Sequence, residues 1–435
     1  MRASFVASVG IQAINMTTGV LLARGLGAEQ RGALAAALLW PSILGVIGTL
    51  GIPEAVTFRV ARAGRAPDRV VGTGLLLAAG LSVAFLLLGA ALLPLVLSRQ
   101  SYDTRVNAFL FLCDVPLSIL ALTIMGVLNG RHRYAWFHAL RVLLVGSVLL
   151  PLALLAATGH LTARNAVLTY LAAKLVTLVA AAALLWLGDE RPKLRWEGKT
   201  ARELMSYGVK SHASGISAPL NQRSDQLLIS IFLSPARLGI YVVAGTMSSI
   251  GWLIGGSVAW VALPAVAAQP PGAKRTRTAR RFVSLTLALT TACCVPLIVF
   301  APQIIDLFFG AEYAEAADIS RILLVAVVVF ATNRSLEAIL RAVDRPLDAG
   351  VAEIIALAVT LAALAVLLPT LGLAGAALSS VIAALVSAAW MSRRAARALG
   401  VPVREIVLPH RDDVGVVVAR ARRLVGRGPR RSSGA

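Results

Sequence analysis

Charged residues are scarce in this sequence: Asp, Glu, Lys and Arg make up 14% of its 435 residues, whereas soluble proteins contain about 25%. Apolar residues make up 58%, and the mean hydropathy is +0.79. A single water-soluble domain of this size has too small an interior to bury so much apolar surface, and a disordered chain contains far fewer apolar residues. The scarcity of charge therefore predicts a protein embedded in a lipid bilayer.

Cysteine and histidine are also scarce, with three and five copies. Cys113, Cys293 and Cys294 all fall within predicted helices, and no C-x-x-C motif occurs, so neither a disulfide framework nor a zinc site is indicated. The five histidines do not share the spacing of metal ligands. We therefore expect no metal site and no cofactor.

Motifs for nucleotide chemistry are absent as well. The segment Gly198–Thr200 resembles the end of a phosphate-binding loop, but Lys193 stands where that motif requires glycine, and no strand precedes it. The predicted outer loops are too short to form a catalytic domain outside the membrane. We therefore expect neither a nucleotide partner nor enzymatic activity.

Long apolar runs are what the sequence contains instead. A membrane-spanning helix needs about 20 mostly apolar residues, and the internal Gly and Pro of these runs are tolerated in membrane helices. Twelve such runs lie at residues 4–24, 33–53, 70–97, 107–128, 140–158, 165–187, 207–233, 238–266, 282–308, 319–341, 350–370 and 372–392. The alternating strands of an outer-membrane barrel are missing. The sequence thus predicts an all-α, polytopic membrane protein with about twelve transmembrane helices.

The net charge of +21 is distributed unevenly between the two predicted sides of the membrane. Lys and Arg favour the cytoplasmic side, and an N-terminus inside places most of them in inner segments. The predicted outer segments hold Arg24, Arg31, Arg99, Arg105, Arg164, Arg237 and Arg321. This pattern predicts the inner (cytoplasmic) membrane, with the N- and C-termini both cytoplasmic. Because the basic residues are spread over inner loops, membrane lipids are expected partners and nucleic acid is not.

The longest inner connection divides the chain into two predicted halves. The predicted parts are an N-terminal lobe of helices 1–6 (1–187), a cytoplasmic linker (188–206), a C-terminal lobe of helices 7–12 (207–392) and a basic cytoplasmic tail (393–435). Residues 21–37 align with 227–244 with one residue inserted, and the alignment pairs Gly32 with Gly239. A parallel repeat is one transporter architecture, with the substrate site between the halves. Chance similarity between two apolar hairpins is the alternative.

Several cations fall inside the predicted spans or end them, and a charge at the bilayer centre costs roughly 2.5–3.5 kcal/mol. Lys174 lies near the middle of helix 6, and its neighbours along the sequence include no acid. The alternative to a functional cation is a lysine that follows a cavity wall without function. Arg24 ends helix 1 on the outer side, where it either caps that helix or gates the outer mouth. The candidate substrate-binding residues are Lys174, Arg223, Arg334 and Arg24.

The candidates for ion coupling or gating are the acids Asp114, Asp225 and Glu337. Asp225 lies two residues after Arg223, so the two should point away from each other on a helix and need separate partners. Glu337 lies three residues after Arg334 and four before Arg341, so pairing within this helix is the structural alternative. The candidate cations outnumber the acids, which favours an anionic substrate group, phosphate above all.

Five segments together resemble the bacterial polysaccharide transporters, the O-antigen-type flippases of the multidrug/oligosaccharidyl-lipid/polysaccharide exporter superfamily. They are LLARGLGAEQRGALAAALLWPSILGVIGTLGIPEAVTFRVAR (21–62), GVLNGRHRYAWFHALR (126–141), LNQRSDQLLISIFLSPARLGIYVVA (220–244), FFGAEYAEAA (308–317) and GLAGAALSS (372–380). The resemblance implies two six-helix lobes around a central cavity and alternating access. It also implies a flippase that moves undecaprenyl-pyrophosphate-linked oligosaccharide for polysaccharide biosynthesis, with cavity cations on the pyrophosphate and polysaccharide-assembly enzymes as further partners.

Three alternatives compete with this hypothesis. A cation-coupled multidrug or metabolite exporter would use Asp114 and Asp225 as ion ligands. A lipid II flippase of the same superfamily usually carries two further C-terminal helices, where this sequence has a basic tail. A membrane glycosyltransferase or polymerase would need catalytic carboxylates outside the membrane. The acids Glu312, Glu315 and Asp318 lie together on a short turn, where the preference of helix N-termini for negative charge explains them.

Overall fold

The computed structural model describes residues 2–62, 68–187 and 193–407, and these residues fold into helices without a strand. Helices α1 to α8 are Arg2–Gly48, Ile52–Arg62, Asp68–Val96, Tyr102–Phe111, Asp114–Gly130, Tyr134–Ala157, Ala163–Trp186 and Gly198–Gly215. Helices α9 to α16 are Ser217–Phe232, Pro235–Ser248, Trp252–Ala267, Ala273–Val299, Ala301–Phe308, Ala316–Ala342, Pro346–Leu399 and Val403–Val407. The prediction of an all-α membrane protein is confirmed.

Nine helical segments of the described chain are long and apolar enough to cross a membrane. Two of these segments, Ser8–Arg62 and Pro346–Leu399, each contain two predicted spans. Gly27 (φ +74°) and Gly372 (φ +58°) interrupt them near the predicted loops, because glycine adopts the left-handed region without a steric penalty. The predicted span 207–233 is helical but divided between α8 and α9, and it is too polar to qualify by hydropathy.

The predicted span 107–128 is divided between α4 and α5. Pro116 has no N–H to donate to the carbonyl of Leu112, so an uninterrupted helix is disfavoured at this point. The chain instead closes a tighter turn, in which the Val115 N–H donates to the Leu112 carbonyl at 3.0 Å. The break places Asp114 in the first turn of α5.

The chain forms two compact units. Unit 1 comprises Met1–Met247, Pro302–Ser320 and Leu364–Ala376, and unit 2 comprises Ser248–Ala301, Arg321–Ala363 and Ala377–Ala435. Separate apolar clusters stabilise unit 1, one around Ile52 and Leu204 and another around Leu97 and Ile119. In unit 2 an apolar cluster includes Leu340 and Met391. The predicted lobes, 1–187 and 207–392, stay a prediction.

Glycines bring two helix backbones into direct contact within unit 1. A Cβ atom on Gly32 would overlap the carbonyl of Pro235, and one on Gly239 would overlap the carbonyl of Ala28. Gly32 and Gly239 are the pair that the sequence repeat aligns. The repeat itself stays a prediction.

The described part of the linker is packed against α3. Thr73 Oγ1 donates to the Arg195 carbonyl at 3.1 Å and accepts from the Glu197 N–H at 3.2 Å. The segment Gly198–Thr200 is the first turn of α8. At the other end of the chain, α16 buries Ile406 in the apolar cluster of unit 2, and the rest of the predicted tail, 408–435, lies outside the described residues.

Candidate anion-binding site

A lysine, an aspartate and a serine form a closed polar triangle inside unit 1. Asp114 and Ser118 lie one turn apart on α5 and therefore share a face of that helix. Lys174 Nζ on α7 lies 3.2 Å from Asp114 Oδ1 and donates to Ser118 Oγ at 2.6 Å. Ser118 Oγ in turn donates to Asp114 Oδ2 at 3.0 Å. The acid that Lys174 lacks among its sequence neighbours is thus supplied by another helix.

The two charges of this triangle differ in their access to solvent. The Asp114 side chain is 3% exposed, whereas that of Lys174 is 27% exposed. The ammonium group is therefore the accessible member of the pair and the carboxylate the sheltered one.

Arg223 brings a second cation to the same place. It lies on α9 and interacts electrostatically with Asp114, and its side chain is exposed. Two cations thus lie around one carboxylate, and the local charge is positive.

Asp225 faces away from Arg223, as the spacing of two residues predicts, and this prediction is confirmed. It is buried, and its Oδ2 accepts a hydrogen bond from Tyr241 Oη at 2.5 Å, while its Oδ1 accepts from the Gln226 N–H at 2.7 Å. Tyr241 on α10 is itself buried. Asp225 therefore has neutral partners and lies apart from the triangle.

The candidates on α14 belong to unit 2 and pair within their own helix. Arg334 Nη1 lies 3.0 Å from Glu337 Oε2, and Arg341 Nη2 lies 2.5 Å from Glu337 Oε1. The predicted pairing is confirmed, while a role of Arg334 or Glu337 in transport stays a prediction. Glu353 on α15 interacts electrostatically with this cluster. Our sequence reasoning missed Glu353, although it is the one acid in the predicted span 350–370.

Arg24 lies at the predicted outer end of unit 1 and donates to the carbonyl of Leu307. It therefore caps the last turn of α13 rather than its own helix. Beside it, the Ala28 N–H donates to Glu312 Oε1 at 2.8 Å, and Tyr313 Oη donates to the Ala23 carbonyl at 3.0 Å. These contacts satisfy backbone groups that the kink at Gly27 leaves without helical partners.

The acids of the short turn 308–318 have specific partners that our sequence reasoning missed. Glu312 holds the backbone of the kink, and Glu315 pairs with Arg237. Burial raises the pKa of the neighbouring Tyr313, and the charge of Glu312 adds to this shift. The turn is therefore a packed element, and helix N-terminal preference explains only part of its acidity.

The structure brings three of the seven candidate site residues together: Lys174, Asp114 and Arg223. Asp225 and Arg24 lie elsewhere in unit 1, and Arg334 and Glu337 lie in unit 2. Among the residues that the structure describes, no three His, Cys, Asp or Glu side chains converge as metal ligands would. Chemically, the triangle with Arg223 can hold an anion, because an ammonium and a guanidinium donate charge-assisted hydrogen bonds to phosphate.

Comparison with known proteins identifies relatives over most of the chain. The family described as "Polysaccharide biosynthesis protein" matches residues 21–318. The probable low-salt glycan biosynthesis flippase Agl15 of Haloferax volcanii is 24% identical over 396 residues, which cover 87% of this chain and 79% of the relative.

Solved structures of transporters share the fold. The lipid II flippase MurJ in an inward closed conformation has a TM-score of 0.78 at 14% identity, covering 95% of this chain and 91% of that one. An inward-facing multidrug resistance transporter of the MATE family has a TM-score of 0.71 at 17% identity, covering 89% and 95%. At such identities the likeness establishes the fold.

Proposed function

Because the chain belongs to the polysaccharide biosynthesis protein family and has the fold of membrane transporters, we propose that it is a flippase for a lipid-linked oligosaccharide. The substrate is an oligosaccharide on undecaprenyl pyrophosphate, which moves from the inner to the outer leaflet of the cytoplasmic membrane. The observation that carries the proposal is the pair of cations, Lys174 and Arg223, beside the single carboxylate of Asp114.

The phosphate groups of the substrate provide what this site needs. An ammonium and a guanidinium inside a membrane require an anionic partner, since water is scarce there and an unpaired charge is costly. The flexible ammonium of Lys174 meets a phosphate oxygen from one direction, and the planar guanidinium of Arg223 offers two parallel donors. The sugar follows the phosphates into the site, while the polyprenyl chain stays in the lipid.

Translocation by alternating access opens the site to one side of the membrane at a time. Lys174 and Arg223 replace water around the phosphates while the headgroup crosses, which lowers the energy of the charged intermediate. This process needs no covalent chemistry, and the protein is accordingly a transporter and not an enzyme. The termini lie in the cytoplasm, where the enzymes that assemble the substrate are the expected partners.

A second candidate function is a cation-coupled exporter of a small molecule, and Asp225 is the observation that favours it. This buried carboxylate is held by a hydroxyl and a backbone amide. Within the described part of the chain, no salt bridge involves it. Such a group can exchange a proton or sodium ion. The net positive charge around Lys174 favours an anionic substrate over the cationic drugs that many exporters carry.

Deletion of the gene tests the proposal. A deletion strain should accumulate the lipid-linked oligosaccharide in the inner leaflet and lose its surface polysaccharide. Complementation with K174Q or R223Q should restore little of it. K199Q should restore it fully, because Lys199 is exposed and lies outside the predicted spans. Normal surface polysaccharide in the deletion strain, with no second flippase present, would refute the proposal. A broad rise in drug susceptibility would favour the exporter.

A further inference from the structure

We infer that Asp114 is a displaceable counterion: it pairs with Lys174 while the site is empty, is replaced there by the substrate's phosphate, and pairs with Lys174 again when the substrate leaves. The inference rests on the proposed function, in which Lys174 binds phosphate. It assigns Asp114 to the release of substrate, whereas Lys174 and Arg223 provide its binding.

The contact between Lys174 and Asp114 is a charge contact rather than a well-formed hydrogen bond. The two charged atoms lie 3.2 Å apart, yet the buried Oδ1 atom of Asp114 has no hydrogen-bond partner. The ammonium directs a hydrogen bond to Ser118 Oγ instead, at 2.6 Å. Lys174 is thus held near the carboxylate by electrostatic attraction, without the directional bond that would lock the pair.

Asp114 can lose Lys174 without being left alone. Its Oδ2 atom keeps the hydrogen bond from Ser118 at 3.0 Å. Arg223 remains within electrostatic reach as well. Because Asp114 has these other partners, an incoming phosphate can replace it at Lys174 at a small net cost.

Lys174, in contrast, has no second carboxylate as an ion-pair partner in the described parts of the chain. Asp114 is the one carboxylate within salt-bridge distance of its ammonium group in the described parts of the chain. The partial exposure of its side chain leaves the ammonium group open to a ligand. After releasing its substrate, the flippase must also reset to its starting conformation with the site empty. A lysine without a counterion would then carry a bare charge inside the membrane. The exchange keeps Lys174 neutralised in both halves of the cycle, by phosphate when loaded and by Asp114 when empty.

This arrangement predicts opposite effects of one substitution on binding and on transport. Asp114→Asn removes the competitor of the phosphate, so the affinity for an anionic ligand should rise about tenfold. The same variant retains its ligand for longer and lacks the counterion for the empty return, so translocation at saturating substrate should slow at least severalfold. A purely structural role of Asp114 would weaken both binding and transport.

The test uses the purified full chain and a short-chain prenyl diphosphate carrying one sugar. Binding is measured by calorimetry in detergent, and translocation of a fluorescent form is measured in proteoliposomes. The expected results are tighter binding and slower translocation for D114N, restoration of both by D114E, and weaker binding for K174Q. The matched control is D225N, which neutralises a different buried carboxylate of unit 1 and should not tighten binding.

Two outcomes separate failure of the inference from failure of the proposed function. If K174Q weakens binding but D114N leaves it unchanged or weaker, Asp114 is not a displaceable counterion, and the flippase proposal stands. If the wild type does not bind the prenyl diphosphate, or neither K174Q nor R223Q weakens binding, the proposed site itself fails.

If D114N alone does not fold, the binding affinity of the double variant K174Q/D114N provides a second test of the inference. Without Lys174 there is no ion pair to displace, so adding D114N to K174Q should tighten binding by no more than about twofold. A tenfold gain in that background would show that Asp114 acts through another group, and it would overturn the inference.

Discussion

Replacing Lys174 with glutamine removes the charge partner of a buried carboxylate, and the structure sets the size of the expected effect. An exposed ion pair is worth about 0–1 kcal/mol, whereas breaking a buried one costs about 3–5 kcal/mol. The pair lies between these limits, because Asp114 is 3% and Lys174 is 27% exposed. Ser118 also continues to donate to Asp114. We therefore expect K174Q to lower the free energy of unfolding by about 2 kcal/mol.

The double variant K174Q/D114N should be more stable than K174Q alone, because position 114 then carries no buried charge that has lost its ion-pair partner. The midpoint temperature of unfolding, measured in one detergent for the wild type, both single variants and the double variant, gives the coupling between the two residues. The exposed lysine variant K199Q is the control and should unfold like the wild type. If the losses of the two single variants simply add in the double variant, the two charges do not interact, and the reasoning about this site fails.

Three further predictions concern packing and the linker. Gly239→Ala should lower the unfolding temperature, because the added Cβ would overlap a backbone carbonyl. The control Gly245→Ala has open space beside it and should be neutral or stabilising. Equal effects of the two substitutions would contradict the backbone contact. Glu312→Gln should lower the free energy of unfolding by about 1 kcal/mol, because the backbone N–H at the α1 kink exchanges a charged acceptor for a neutral one. An unchanged unfolding temperature would show that the kink does not depend on this charge. The pKa of Glu197 is lowered, mainly by the hydrogen bond from Thr200. Its contribution to stability is therefore present above its ordinary pKa of 4.5 and is lost as the pH falls through the lowered value. In a pH series of unfolding temperatures, the difference between E197Q and the wild type should vanish in acid, and a difference that persists there would contradict the assignment.

Local patterns predicted most of the helices and the pairs within them. Hydropathy located the spans because the thickness of the bilayer fixes the length of an apolar run. The spacing of Arg334, Glu337 and Arg341 predicted their ion pairs, since residues three and four apart are neighbours on a helix. The same reasoning separated Arg223 from Asp225.

Contacts between distant segments were beyond the reach of these rules. Lys174 and Ser118 are separated by 56 residues, and Ala28 and Glu312 by 284. Sequence spacing says nothing about such pairs, because they depend on which helices pack together and at what rotation. The partner of Lys174 was missed for this reason, and so was the role of Glu312 at the kink.

Packing and charge follow different rules along this chain. Gly32 and Gly239 are paired by the predicted repeat, and the two glycines lie against each other's helix backbones in the structure. The charges do not repeat: helix 6 carries Lys174, whereas the predicted helix 12, at 372–392, carries no charged residue. A bare charge in a membrane is costly wherever it occurs, so a helix that keeps one needs a partner or a function for it. This difference between the two helices indicates a specific use for Lys174, and phosphate binding beside Asp114 and Arg223 is the use that we propose.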